Sequence, residues 1–110
     1  MDRPEAQISV VDNTVESRYE TRVDGDLAIL TYDRDDDRIA LLHTEVPPRL
    51  EGRGIAGALA RFALEAARAQ GLMVIPSCPY VAAYIRRHPD YLPLVEPRWR
   101  SVVERRTRGG

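Results

Sequence analysis

The sequence predicts an α+β fold, a three-layer α/β arrangement in which an antiparallel meander of about four strands gains a fifth strand parallel to the fourth and packs against two main helices. Three observations predict it. Apolar residues alternate with period 2 through the first part of the chain. The period changes to about 3.6 directly after the glycine-rich stretch RLEGRGIAG, Arg49 to Gly57. A continuous apolar run, LMVIPS, then separates two helical segments, as suits a strand buried on both faces.

Taken in order, QISVVDN (Gln7 to Asn13) and SRYETRV (Ser17 to Val23) read as short strands, and DGD (Asp24 to Asp26) as the turn that ends the second. LAILTYD (Leu27 to Asp33) is a third strand. The polar cluster DRDDD turns the chain into a fourth, RIALLHTEV (Arg38 to Val46). Pro47 and Pro48 stop that strand, because neither can donate to a ladder. Beyond the glycines, Ile55, Leu59, Phe62 and Ala66 recur at helical spacing, opposite Arg61, Glu65 and Arg68. This amphipathic helix ends near Gln70, with Gly71 as its C-cap. Leu72 to Ser77 is the fifth strand, and PYVAAYIRRH (Pro79 to His88) the second helix, with Pro79 at its first position and Pro89 closing it.

One domain is what 110 residues allow. Nothing in the sequence reads as a membrane span or an export signal, so a cytoplasmic protein is expected. The single cysteine, Cys78, fits a reducing compartment and offers no zinc cluster; DRDDD lacks the glycine and terminal glutamate of a calcium loop, so no metal is expected. The net charge of -1 hides an asymmetry: twelve Asp and Glu against five Arg up to Glu45, five against eleven from Val46 onward. An acidic half feeding a basic half suits a protein that holds a polyanion with one part and a cationic group with the other. Every basic side chain is Arg. The absence of lysine excludes a P-loop NTPase and any lysine Schiff base.

Gly52, Gly54 and Gly57 satisfy G-x-G-x-x-G, the dinucleotide fingerprint, but that motif belongs after the first strand of its domain with an acidic residue about 20 positions on. Here four strands precede it, and no Asp or Glu occurs between Ala66 and Pro89. The other reading is R-x-x-G-x-G, a loop whose backbone N–H groups from Glu51 to Ala56 cradle a pyrophosphate at a helix start. Arg49 and Arg53 add charge, Arg53 being the better placed for a terminal phosphate.

Three segments in order, His43-Thr44-Glu45-Val46, the R-x-x-G-x-G at Arg49 to Gly54, and Pro76-x-Cys78-Pro79-Tyr80 followed by His88-Pro89, make the chain resemble a short GCN5-related N-acetyltransferase (GNAT) of the small YjdJ-like, single-domain branch. The likeness runs from about Ile8 to Val95. The resemblance implies a domain over residues 1–95 that binds acetyl-CoA as cosubstrate, followed by a basic tail over 96–110. It also implies that the fourth and fifth strands splay, with pantetheine pairing near Thr44 to Val46 and pyrophosphate on Gly52, Arg53, Gly54, Ile55 and Ala56. The helix pair that larger relatives carry between their first two strands is missing here, so the amine acceptor, small molecule or protein, is not named.

Acetyl transfer needs a deprotonated amine, a stabilised oxyanion and a protonated leaving thiolate. His43 and Glu45, two apart on one strand, share a face; His43 is the expected general base and Glu45 a second base or orienter. Cys78, at a helix start, either takes the acetyl group itself, stands beside the CoA sulfur, or packs as a small apolar residue. In the wider superfamily a tyrosine on the helix after the fifth strand often protonates the CoA thiolate, so the resemblance implicates Tyr80 and Tyr84, with Tyr84 favoured by position. His88 reads as a helix cap. The alternative function is a CoA- or acyl-CoA-binding module with little or no transferase activity. Nucleic-acid binding through Trp99 and the arginine-rich tail is not expected of a slightly acidic protein, and the assembly expected is a monomer or weak homodimer.

Overall fold

The computed structural model describes residues 8–105. Five strands, β1 (Val11–Asn13), β2 (Arg18–Val23), β3 (Asp26–Arg34), β4 (Arg38–Glu45) and β5 (Met73–Pro76), form one sheet in sequence order. The first four pair antiparallel and β5 runs parallel to β4, so the predicted α+β class and meander are observed. Gln7, expected to open the first strand, lies outside the described residues; the ladder itself starts only at Val11. Ser9 contributes a carbonyl to the Thr21 hydroxyl at 2.8 Å instead of pairing as strand.

Asp24 and Gly25 both have positive φ, 52° and 84°, between the paired residues Val23 and Asp26. A two-residue turn of that handedness matches the twist of the flanking strands, which is why Asp-Gly closes this hairpin. Between β3 and β4 the register slips: Thr31 pairs with His43 and Tyr32 with Leu41, leaving Leu42 unpaired as a bulge. The slip reverses the alternation along β4. Ile39 and Leu41 point into the core, and so does Thr44, opposite the buried Leu30, whereas His43 and Glu45 point to the other face opposite Thr31 and Ile29.

Helix α1 (Ile55–Gln70) crosses from β4 to β5 and helix α2 (Pro79–Arg87) follows β5. The core-facing row of the sheet, Tyr19, Ala28, Leu30, Leu41 and Val74, packs with Leu59, Leu64 and Ile85 in one cluster. The residues of the opposite sheet face stay half-buried or exposed. The buried stripe of α1 is Ile55, Leu59, Ala60, Ala63, Leu64 and Ala67, rotated from the sequence expectation. Phe62 is 39% exposed, and its ring meets Tyr19 edge-on at 5.6 Å. The reason is steric: alanines at the centre of the stripe let the helix approach sheet and α2 together, which pushes the bulkier ring to the rim. Gly71, at φ 69°, caps α1 by donating to Ala67 and Arg68, as expected.

The chain does not leave the globule at Glu96. The Glu96 N–H donates to the Val74 carbonyl at 2.9 Å, beside a parallel bridge between Val95 and Val74. A short turn, Pro97–Trp99, then leads into helix α3 (Arg100–Arg105), where Val103 is buried and its carbonyl accepts from Arg86 at 3.1 Å. Trp99 is half-buried against the core rather than displayed as a stacking surface.

Candidate functional site: a strand gap beside the glycine loop

Strands β4 and β5 pair only as far as Leu41 and Pro76; one further bond, from the Cys78 N–H to the Leu41 carbonyl at 2.8 Å, closes the ladder. Beyond it β4 runs on to Glu45 while the chain after β5 turns into α2 at Pro79. The two strands therefore part where the resemblance implied. Across the mouth of this gap the Thr44 hydroxyl and the Cys78 thiol lie 3.3 Å apart. Cys78 is 3% exposed and is the N-cap residue of α2.

Val46, two residues beyond Thr44, lines a cleft of about 250 Å³ together with Gly52, Gly54, Ile55, Ala56 and Tyr80, among others. Gly52 and Gly54 hold φ of 82° and 80°, which glycine alone adopts without strain, and this exposes the loop amides. The Glu51 N–H is already spent on the Pro48 carbonyl at 3.2 Å. Among the described residues no acceptor engages the N–H groups of Gly52, Arg53, Gly54, Ile55, Ala56 or Gly57. Six backbone donors without partners thus gather at the positive end of a sixteen-residue helix, the chemistry that receives an anion.

The two arginines of the loop are committed elsewhere. Arg49 donates to Asp26 at 2.8 and 3.0 Å, and Arg53 to Asp24 at 2.9 Å. Sequence reasoning read Asp24 to Asp26 only as a turn and did not see these partners; an ion pair between loops far apart in the chain leaves no local pattern.

Tyr80 and Tyr84 both flank Gly57: a Cβ at that glycine would lie 3.5 Å from the Tyr80 hydroxyl and 3.7 Å from the Tyr84 ring. Tyr80 lines the cleft that holds Val46 and Gly52, whereas Tyr84 lines a second cleft that shares Gly54 and Gly57. Tyr84 is buried, its pKa is raised by burial, and its ring stacks on the His88 imidazole at 4.2 Å. His88 is the C-cap residue of α2, its N–H donating to the carbonyls of Tyr84 and Ile85, as its position suggested. The structure thus gathers Thr44, Cys78, Val46, Tyr80 and the glycine loop on one side of the sheet. His43 and Glu45 stand on the other face, both exposed, because the Leu42 bulge reverses the alternation. Nothing in the local sequence announces that bulge.

Among the described residues no three His, Cys, Asp or Glu side chains are grouped to hold a metal ion, and no helix is long and apolar enough to cross a membrane.

Comparison with known proteins agrees with this geometry. The family profile described as GCN5-related N-acetyl-transferase matches residues 18–94. The chain is 31% identical over 99 residues to Protein NATD1 of Xenopus tropicalis, covering 86% of this chain and 91% of that protein. It is 36% identical over 85 residues to Protein NATD1 of Mus musculus, covering 73% and 77%. Against Protein NATD1 of Gallus gallus the identity is 35% over 95 residues, covering 82% and 86%. A sheet whose fourth and fifth strands diverge beside a glycine loop with open amides, together with these matches, shows that the chain belongs to the GCN5-related N-acetyltransferase family.

Proposed function

We propose that the protein is an acetyl-CoA-dependent N-acetyltransferase of the cytoplasm that moves the acetyl group directly from the CoA thioester to an amine. The observation that carries this reading is the row of partnerless amides from Gly52 to Gly57, in a cleft shared with Val46, two residues beyond the Thr44 that meets Cys78. In this reading the diphosphate of CoA lies on those amides, and the pantetheine follows the unpaired edge of β4 from Val46 past Thr44 toward Cys78. The amine approaches from the uncovered face of the sheet. There Glu45 draws it in, and His43 accepts the proton that the nitrogen loses as it attacks the carbonyl carbon. Collapse of the tetrahedral intermediate breaks the C–S bond, and a phenol protonates the departing thiolate. The cleft lining supports Tyr80 for that step, in place of the Tyr84 favoured by spacing.

A second reading, a CoA-binding module without turnover, is favoured by one observation: among the described residues no helix covers the face that carries His43 and Glu45. Following thiol release from acetyl-CoA with a panel of small amines and basic peptides separates the two. Amine-dependent release that is lost in His43→Ala supports the transferase; tight binding with no amine consumed supports the module.

A further inference from the structure

A cavity of about 440 Å³ lies between α1 and the end of α2, apart from the strand gap; its walls include Arg61, Glu65, Arg68, Tyr84, Arg87 and His88. Ligand pockets commonly fall in this size range. One wall is internally satisfied. Glu65 accepts from Arg68 at 3.1 Å and from the Tyr91 hydroxyl at 2.7 Å, and the Arg68 guanidinium lies over the Tyr91 ring at 5.2 Å. The other cations are not satisfied in this way. Among the described residues no carboxylate pairs with Arg61 or Arg87. Arg87 has only the π faces of Tyr80 and Tyr84, each 6.0 Å away. Asp90 also lines the cavity, so the lining carries three arginines against two carboxylates, one of them already neutralised by Arg68.

The same cavity wall carries an aromatic platform. The exposed His88 ring is backed by the buried Tyr84 ring, 28° from parallel. A flat ring beside two unpaired guanidinium groups is the chemistry that receives a base and a phosphate together.

The cavity shares Arg61, Glu65 and Tyr84 with a cleft that reaches the glycine loop. That cleft, of about 620 Å³, is lined by Gly54 and Gly57 at one end and by Arg61, Glu65 and Tyr84 at the other. Arg61 lies seven residues beyond Gly54 in α1, about 10 Å along the axis at the helical rise. A long guanidinium arm and one ribose bridge that interval.

We infer that this cavity binds a phosphorylated purine nucleoside, the base resting on the His88–Tyr84 stack and the phosphomonoester between Arg61 and Arg87. This rests on the proposed CoA site, because the nearest source of such a group is the 3′-phosphoadenosine end of a CoA held by the loop amides. Arg49 and Arg53 are paired to Asp26 and Asp24, so Arg61 and Arg87 are the side chains free to read that phosphate.

Calorimetric titration with CoA and with 3′-dephospho-CoA tests it, using the wild type, Arg61→Ala, Arg87→Ala and Arg61→Lys, each checked for folding by circular dichroism. The expected result is CoA binding about tenfold tighter than dephospho-CoA in the wild type. The preference is lost in both alanine variants and partly kept in Arg61→Lys. Adenosine 3′,5′-bisphosphate should displace CoA. Equal affinity for the two cofactors in the wild type overturns the inference and leaves the CoA site standing. Bisphosphate that binds without displacing CoA overturns it too, since the cavity then serves a separate nucleotide. Failure of both cofactors to bind overturns the proposed function itself.

Discussion

The guanidinium of Arg53 donates to the carboxylate of Asp24 at 2.9 Å, across 29 residues of chain, and so ties the glycine loop to the β2–β3 turn. With the parallel bond from Arg49 to Asp26, the hairpin holds the loop in place and places two carboxylates near the open amides. These pairs are exposed, so they add little to stability, within about 1 kcal/mol each. Their larger effect is on the charge that an arriving anion meets.

Neutralising that turn is expected to strengthen the proposed anion binding. Asp24→Asn keeps a residue type that tolerates the φ of 52° and frees Arg53. CoA affinity measured by calorimetry is expected to rise about three-fold at low salt, and the gain to shrink as ionic strength rises. Weaker binding in this variant would mean that the bridge, rather than the free cation, is what the loop needs.

The proposed direct transfer would make Cys78 a wall rather than a nucleophile. Cys78→Ser retains a hydroxyl to meet Thr44, so turnover is expected to stay within about three-fold of wild type. Intact mass and peptide mapping after incubation with acetyl-CoA are expected to show no acetylated Cys78. A trapped acetyl group there, with turnover abolished in the serine variant, would establish the two-step route instead.

Leu59 is fully buried where α1 meets the sheet. Leu59→Ala is expected to cost about 2–5 kcal/mol in urea unfolding, from lost burial and the residual cavity. A loss under about 1 kcal/mol would show that the alanine-rich stripe can close over the space.

Stability is expected to fall at alkaline pH through the tyrosines. Burial pushes the Tyr19 phenol from 10.0 to about 12, with Asp12 adding to it, and burial with the Glu65 hydrogen bond pushes Tyr91 to about 12. A pKa raised in the folded state favours the protonated form there. The stabilisation is therefore complete below pH 10 and is lost as pH rises through the folded values near 12. Urea midpoints followed from pH 8 upward should stay level to about pH 10 and then drop; in Tyr91→Phe, which loses both the Glu65 hydrogen bond and a titrating phenol, the midpoint should be lower below that pH and the alkaline drop shallower.

Much of this was legible in the chain. Alternation in β2 to β4, the apolar run of β5, the prolines that stop β4 and start α2, and Gly71 at the end of α1 are local signals with local causes. The positive φ of Gly52 and Gly54 likewise follows from residue type. What stayed hidden depends on partners distant in sequence. The Leu42 bulge decides that His43 and Glu45 face away from Thr44 and Cys78, yet it arises from the pairing of β4 with β3. The outward rotation of Phe62 arises from two-sided packing of α1. The return of residues 95–103 to the core depends on contacts with residues distant in sequence, the Val95 bridge and Glu96 bond to Val74 and the Arg86 bond to the Val103 carbonyl. The pairs that hold Arg49 and Arg53 are set by the geometry of two loops.

The most direct test is a backbone amide spectrum of the nitrogen-15-labelled protein, recorded as CoA is added. The account predicts that the signals of Gly52, Gly54, Ile55, Ala56 and Gly57 move together and saturate with one equivalent of ligand, while Glu51, already bonded to Pro48, moves least. Titration to saturating CoA with those five signals unmoved would contradict it.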